Sequence, residues 1–198
     1  MEVFLKGLTF EEGSHIYRLD GKEIPSVSKI LSPLSKSAYD AIPMSVLNAA
    51  ADRGTAVHEA IENFSLFGEE CIYEEFKGYF DSYKDWFDKN NPEIMLSESK
   101  GYHPVMLYAG TIDCVCKIGD DVCLVDYKTS SRVLDKNYRI QLEAYRQILH
   151  IDGIEITKKM VLHLTPSGWS EHLYKVNDAE AWRVFGALKC IYDYTIGS

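Results

Sequence analysis

The chain has 198 residues, 46% of them hydrophobic and 26% charged, which suits one compact unit with a sizeable core and excludes a disordered tail. Its net charge of −9 excludes a coat protein that holds nucleic acid by many basic phosphate contacts, yet allows a local basic groove or a bound cation. No apolar run approaches the ~18 residues needed to cross a bilayer, and Met1-Glu2-Val3-Phe4-Leu5-Lys6 is not the basic-then-apolar start of a secretory leader, so a cytoplasmic protein without membrane contact is expected.

The elements read as follows. Phe10 opens a short hairpin, His15-Ile16-Tyr17-Arg18-Leu19 alternates, and Asp20-Gly21-Lys22 turns it. Ser26 or Ser28 is placed to cap a short helix over the following residues. A helix is expected over 45–67, where Val46, Leu47, Ala50, Val57, Ala60, Ile61 and Phe64 recur at helical spacing, with Gly54 as a candidate break. A second covers 73–89, its aromatics forming a core stripe, and Asn90-Asn91-Pro92 ends it. Strands are expected over 93–100, 106–118 and 122–127, the last two joined by a turn at Gly119-Asp120-Asp121. A helix over 137–150, strands over 160–164 and 169–176 around Thr165-Pro166-Ser167-Gly168, and a final helix capped by Asp178 complete the order. One domain over 1–198 follows: an N-terminal hairpin and lead-in (1–45), a helical part (46–92) and a sheet core with helices (93–198). The fold class is α/β in the α+β sense, a mixed central sheet flanked by helices.

The five cysteines are odd in number and contain no CxxC pair, which argues against a zinc ribbon; their spacing argues against an iron–sulfur cluster. Cys114 and Cys116 face one side of a strand, and all five read as small buried hydrophobes in a reducing compartment. GxSxG, HExxH and GxxxxGK[ST] are absent. No two of the six histidines have helical metal-ligand spacing, and His163 and His172 read as a cross-strand pair.

Chemistry concentrates in Gly110-Thr111-Ile112-Asp113 and Leu124-Val125-Asp126-Tyr127-Lys128-Thr129-Ser130. Alternation sends Asp126 and Lys128 to one side of their strand, and the hairpin brings Asp113 alongside. Burying that trio is costly unless a hard cation such as Mg²⁺ or Mn²⁺ takes the carboxylates. Gln141 and Tyr145 share one helical face directly afterwards.

The assembly resembles the RecB-type branch of the PD-(D/E)XK nucleases. The matching residues are Gly54-Thr55-Ala56-Val57-His58, Glu98, Ala109-Gly110-Thr111-Ile112-Asp113, Val125-Asp126-Tyr127-Lys128-Thr129-Ser130 and Gln141-Leu142-Glu143-Ala144-Tyr145. His15-x-Tyr17, Asp20-Gly21-Lys22 and Pro25-Ser26-Val27-Ser28 resemble the start of phage exonucleases and of the mitochondrial genome maintenance exonuclease. The resemblance implies a restriction-endonuclease-like core. It makes Asp113 and Asp126 metal ligands, joined by His58 and the Tyr127 carbonyl, and Lys128 the catalytic lysine. It makes Glu98 an additional acid, with Glu93 its competitor. Gln141, Tyr145, Thr129, Ser130 and Gly54 would contact substrate. Implied too are a Mg²⁺- or Mn²⁺-dependent deoxyribonuclease, an exonuclease on single strands or duplex ends in recombination, repair or replication. The partner is DNA, with a protein partner in such a complex, and the source bacterial or phage. Nucleases of CRISPR adaptation carry a cysteine cluster near their ends, where this chain has only Cys190. A structure-specific or nicking endonuclease of the same fold, and a non-catalytic nuclease-fold protein that binds or inhibits another complex, remain open readings.

Overall fold

A computed structural model describes residues 6–39, 42–131, 133 and 135–196, with backbone only for 36–39. The leader expectation therefore rests mostly on residues 1–5, outside the described ones. An antiparallel three-stranded sheet, β1 (Leu8–Glu11), β2 (Ile16–Leu19) and β3 (Lys22–Ile24), opens the chain. Asp20 and Gly21 turn it with left-handed backbone at φ 49° and 81°, and Lys22 already belongs to a third strand that the sequence reading put in the turn.

Helix α1 (Val27–Tyr39) is longer than the short helix expected and tolerates Pro33. Ser26 rather than Ser28 caps it, its Oγ accepting from the Lys29 N–H at 3.1 Å. Helix α2 (Met44–Phe67) runs unbroken through Gly54. Packing of Val57, Ala60 and Ile61 outweighs the ~1 kcal/mol that a helical glycine costs. Gly68 ends α2 at φ 71°, its N–H reaching back to the Phe64 carbonyl. A single 3₁₀ turn (Glu74–Phe76) precedes α3 (Lys77–Asn90), where one continuous helix was expected.

The central sheet has the order β4 (Glu93–His103), β5 (Tyr108–Ile118), β6 (Asp121–Lys128), β7 (Lys158–Thr165) and β8 (Gly168–Tyr174). Only β6 and β7 pair in parallel, and α4 (Asp135–Ile151) makes the crossover that a parallel pair requires. Helix α5 (Ala179–Ile196) follows, capped as expected by Asp178, whose Oδ1 accepts from Ala181 N–H at 3.1 Å. The fold is α+β, a mixed sheet flanked by helices. Strands β4, β6 and β7 run longer than their apolar alternation suggested, β4 continuing through the polar Lys100 to His103, whereas β5 begins at Tyr108 rather than Met106 and β8 ends at Tyr174 rather than Val176.

Alternation along β6 divides the interior. Leu124 joins α1, α4 and α5 on one face, with Ile112, Ile148 and Phe185. Cys123, Val125 and Tyr127 join α2 and α3 on the other, with Phe80, Tyr83 and Trp86. The aromatics of α3 are core, as expected. Cys114, Cys116 and Cys123 are buried in that layer, whereas Cys71 and Cys190 are exposed, contrary to the expectation that all five are buried. The N-terminal sheet is anchored to β5 by Tyr17 OH with Thr111 Oγ1 at 2.7 Å and by Ala109 N–H donating to the Pro25 carbonyl at 2.9 Å. No helix among the described residues is long and apolar enough to cross a membrane.

Candidate metal centre

Register assembles the site. Ser97 faces Cys114 and Ser99 faces Ile112, so Glu98 lies opposite Asp113. Cys114 faces Val125, so the next position sets Asp113 opposite Asp126, where the β5–β6 ladder stops. Glu98, Asp113 and Asp126 thus form one row across three adjacent strands. Instead of continuing the ladder, Asp113 turns its carboxylate onto the neighbouring strand, and Oδ2 accepts from the Tyr127 N–H at 2.9 Å. Glu98 has φ 43°, a left-handed backbone inside a strand, a conformation that costs an ordinary residue ~1–2 kcal/mol.

Helix α2 closes the row from one side. His58 Nδ1 lies 3.1 Å from Glu98 Oε1 and 3.8 Å from Asp113 Oδ2, and its Nε2 lies 3.1 Å from the Tyr127 carbonyl. Helix α4 closes it from the other. Gln141 Nε2 donates to Asp126 Oδ1 at 3.0 Å and to Tyr145 OH at 3.3 Å. Tyr145 reaches this position because Gly110 gives it room; a Cβ there would lie 2.6 Å from the ring. The Lys128 ammonium is 2.5 Å from Asp126 Oδ2 and 5.2 Å from the Tyr138 ring centroid. That ion contact lacks hydrogen-bond alignment, so buried Asp126 Oδ2 has no aligned donor.

Electrostatics follow from burial. Desolvation raises the Asp126 carboxyl to about 6 against the pull of Lys128, with the Asp113 charge adding to the rise. Desolvation also raises Asp113 despite His58 and Lys128. Burial opposes the charged form of His58, but the Asp113 charge and the Glu98 hydrogen bond outweigh it and lift the imidazole to about 9. Burial likewise works against charged Lys128, and Asp126 and Asp113 outweigh it, holding the ammonium above the ordinary lysine value. Burial thus raises both aspartates, while their charges hold His58 and Lys128 in the cationic form.

The donor set suits a divalent cation. One ligand atom each from His58, Glu98 and Asp113 lies within 4.8 Å of the others; around an octahedral ion with ~2.1 Å bonds, neighbouring ligands are ~3 Å apart and opposite ones ~4.2 Å. Asp126 stands beside this trio with its unaligned Oδ2, and the Tyr127 carbonyl lies against His58. Carboxylate and carbonyl oxygens suit Mg²⁺ or Mn²⁺, and the imidazole tilts the preference toward Mn²⁺.

The remaining expected residues fall as follows. Glu98, not Glu93, belongs to the row, because Glu93 faces Lys117 at the far end of β4. Thr129 is buried and accepts from Arg53 Nε at 3.4 Å. The Ser130 carbonyl lies 2.6 Å from His163 Nε2, tying that segment to β7. Gly54 sits one helical turn from His58, and a Cβ there would meet open space, so no packing contact requires this glycine. His163 faces Ser170 and His172 faces Val161, so the two rings are diagonal neighbours, with centroids 6.2 Å apart.

Sequence reading missed three residues here: Arg53, Tyr138 and Tyr17. Tyr17 lay in a quoted motif, but nothing in the spacing tied it to Thr111, 94 residues away. Arg53 directly precedes the Gly54-Thr55 motif, which was the available signal.

No protein-family model matches the chain, and no curated protein matches it. Among solved structures, one described as "Crystal structure of SSO0001" is similar over 87% of this chain and 76% of that one, at 16% identity and a TM-score of 0.46.

Proposed function

We propose that the chain is a metal-dependent deoxyribonuclease of the PD-(D/E)XK type, acting as an exonuclease on single strands or duplex ends. The observation that carries this reading is the row Glu98–Asp113–Asp126 across three strands, with Lys128 pressed against Asp126. Crowding three acids together, with Asp126 buried and Glu98 and Asp113 half-buried, opposes folding unless the site has cationic company, and phosphodiester hydrolysis needs such company.

When bound, Mg²⁺ or Mn²⁺ supplies acidity to water and positive charge to the phosphate; His58, Glu98, Asp113, Asp126 and the Tyr127 carbonyl would hold it. The chain's own residues do the rest. Asp126 fixes the Lys128 ammonium so that it faces charge growing on the phosphate oxygens. Gln141 and Tyr145 orient Asp126 from α4. In the hydrolysis a water oxygen bonds to phosphorus, the bond to one sugar oxygen breaks, and the proton released by water replaces that bond on the leaving oxygen.

The test compares wild type with Asp126→Ala and Lys128→Ala on end-labelled linear and on circular single-stranded DNA, with Mg²⁺, Mn²⁺ or chelator. Metal-dependent shortening of linear DNA by wild type alone is expected, with circles left intact. Equal activity in all three proteins rejects the site, and cleaved circles replace the exonuclease with an endonuclease of the same chemistry.

A further inference from the structure

Beside the metal centre lies a cavity of about 450 Å³ between α2 and the segment leading into α3, lined by Ala49, Asp52, Arg53, Ala56, Tyr73 and Phe76, with Glu75 at its side. That volume falls within the ~300–1,000 Å³ of small-ligand sites. We propose that this cavity takes an unpaired nucleobase of the substrate strand, with Arg53 gripping the adjoining phosphate; the choice of ligand rests on the nuclease reading above.

Three observations carry the proposal. The first is aromatic surface. Tyr73 is 72% exposed, an unusual setting for a large ring. Phe76 stands at right angles to it, with centroids 6.5 Å apart. The small side chains of Ala49 and Ala56 leave the opposite wall open. Every base has a π-face, so such a surface holds single strands whatever their sequence.

The second is charge. Arg53 lies 5.3 Å from the Tyr79 ring centroid, its Nε donating to Thr129. Among the described residues no carboxylate pairs with its guanidinium, although Asp52 and Glu75 line the same cavity. The two acids repel phosphate from their own walls, leaving Arg53 as the one place in the cavity lining where a phosphate is welcome.

The third is continuity. Thr129 directly follows Lys128, so the Arg53 wall meets the end of β6, where the metal centre begins. A strand whose base stacks on the exposed Tyr73 ring beside Phe76 carries its next phosphate past Arg53 toward Lys128. A base paired in a duplex is already stacked and cannot enter, so the cavity selects unpaired strand.

The test measures binding of a short, labelled single-stranded oligodeoxynucleotide by fluorescence anisotropy in chelator, where no cleavage occurs. Tyr73→Ala and Arg53→Met are expected to weaken binding roughly five- to a hundred-fold each, the range for loss of one stacked base or its charged support. Tyr194→Ala, at a still more exposed aromatic on α5, is expected to change it by less than about twofold. An oligonucleotide lacking bases should bind wild type and Tyr73→Ala alike. Undiminished binding by Tyr73→Ala and Arg53→Met, or no binding by wild type, overturns the cavity assignment. Cleavage assayed separately keeps the two readings apart. A wild type that degrades DNA while both variants bind normally leaves the nuclease and removes the pocket. One that binds as described yet never cleaves with Mn²⁺ or Mg²⁺ does the reverse.

Discussion

Replacing Lys128 by methionine removes the cation at 2.5 Å from Asp126 and keeps most of the packing volume. Asp126 is 1% exposed, so its ionised form then keeps only the Gln141 donor on Oδ1. Breaking one partner of a buried pair costs ~3–5 kcal/mol, and the low end applies because Asp126 can escape by taking a proton. Its carboxyl stands at about 6 against 3.8 for the free group. A folded value raised above the unfolded one gives stability that is full below 3.8 and lost as pH rises through about 6. Loss of Lys128 raises that folded value further, so the deficit should reach about 3 kcal/mol above the variant's raised value and shrink as pH falls from there to about 6. Without the competing ammonium the acids should also bind a divalent ion more tightly, so Mn²⁺ should stabilise Lys128→Met by ~2.7 kcal/mol once the ion reaches about a hundred times that variant's Kd, and wild type by less at the same concentration. Urea unfolding at several pH values, with Mn²⁺ or chelator, measures all of this. A pH-independent loss below about 1 kcal/mol, or equal Mn²⁺ stabilisation of both proteins, refutes the reasoning.

Three other outcomes are expected. Glu98→Gly should unfold at higher denaturant than Glu98→Ala by about 1 kcal/mol, since both lose the carboxylate but only glycine accepts φ 43° freely; equal midpoints would remove the backbone strain. Gly110→Ala should push the Tyr145 ring from its seat, costing ~1–3 kcal/mol, with NMR shifts at Tyr145 and Gln141; an unshifted Tyr145 contradicts it. For Asp178, the hydrogen bond from Arg139 lowers the carboxyl from 3.8 to about 2. The pair thus stabilises the fold above pH 3.8 and fails as pH falls through about 2. Half-exposed Arg139 is partly screened, so Asp178→Ala should cost only ~1–2 kcal/mol near neutrality and little in acid, read from thermal unfolding; a constant difference across that range would refute it.

The sheet was legible because its strands declare their faces. Leu124, Asp126 and Lys128 alternate with Cys123, Val125 and Tyr127, and the Gly119 turn fixes the register that sets Asp113 beside Asp126. The same alternation could not reveal that β4 continues past Lys100, because pairing with β5 rather than local pattern extends it. Nor could it reveal the left-handed backbone of Glu98, a tertiary constraint with no mark in the sequence. Gly54 misled because helix propensity is weak against a buried Val57–Ala60–Ile61 face. Arg53 and Tyr138 stayed hidden because their roles come from contacts to Thr129 and Lys128 across the fold.

Calorimetric titration of the metal-free protein with Mn²⁺, beside Asp113→Asn, tests the centre of the account most directly. Saturable binding by wild type that is lost or at least about tenfold weaker in the variant is the predicted result. Absence of saturable binding, or the same isotherm for both proteins, would mean that the three-acid row does not hold a cation.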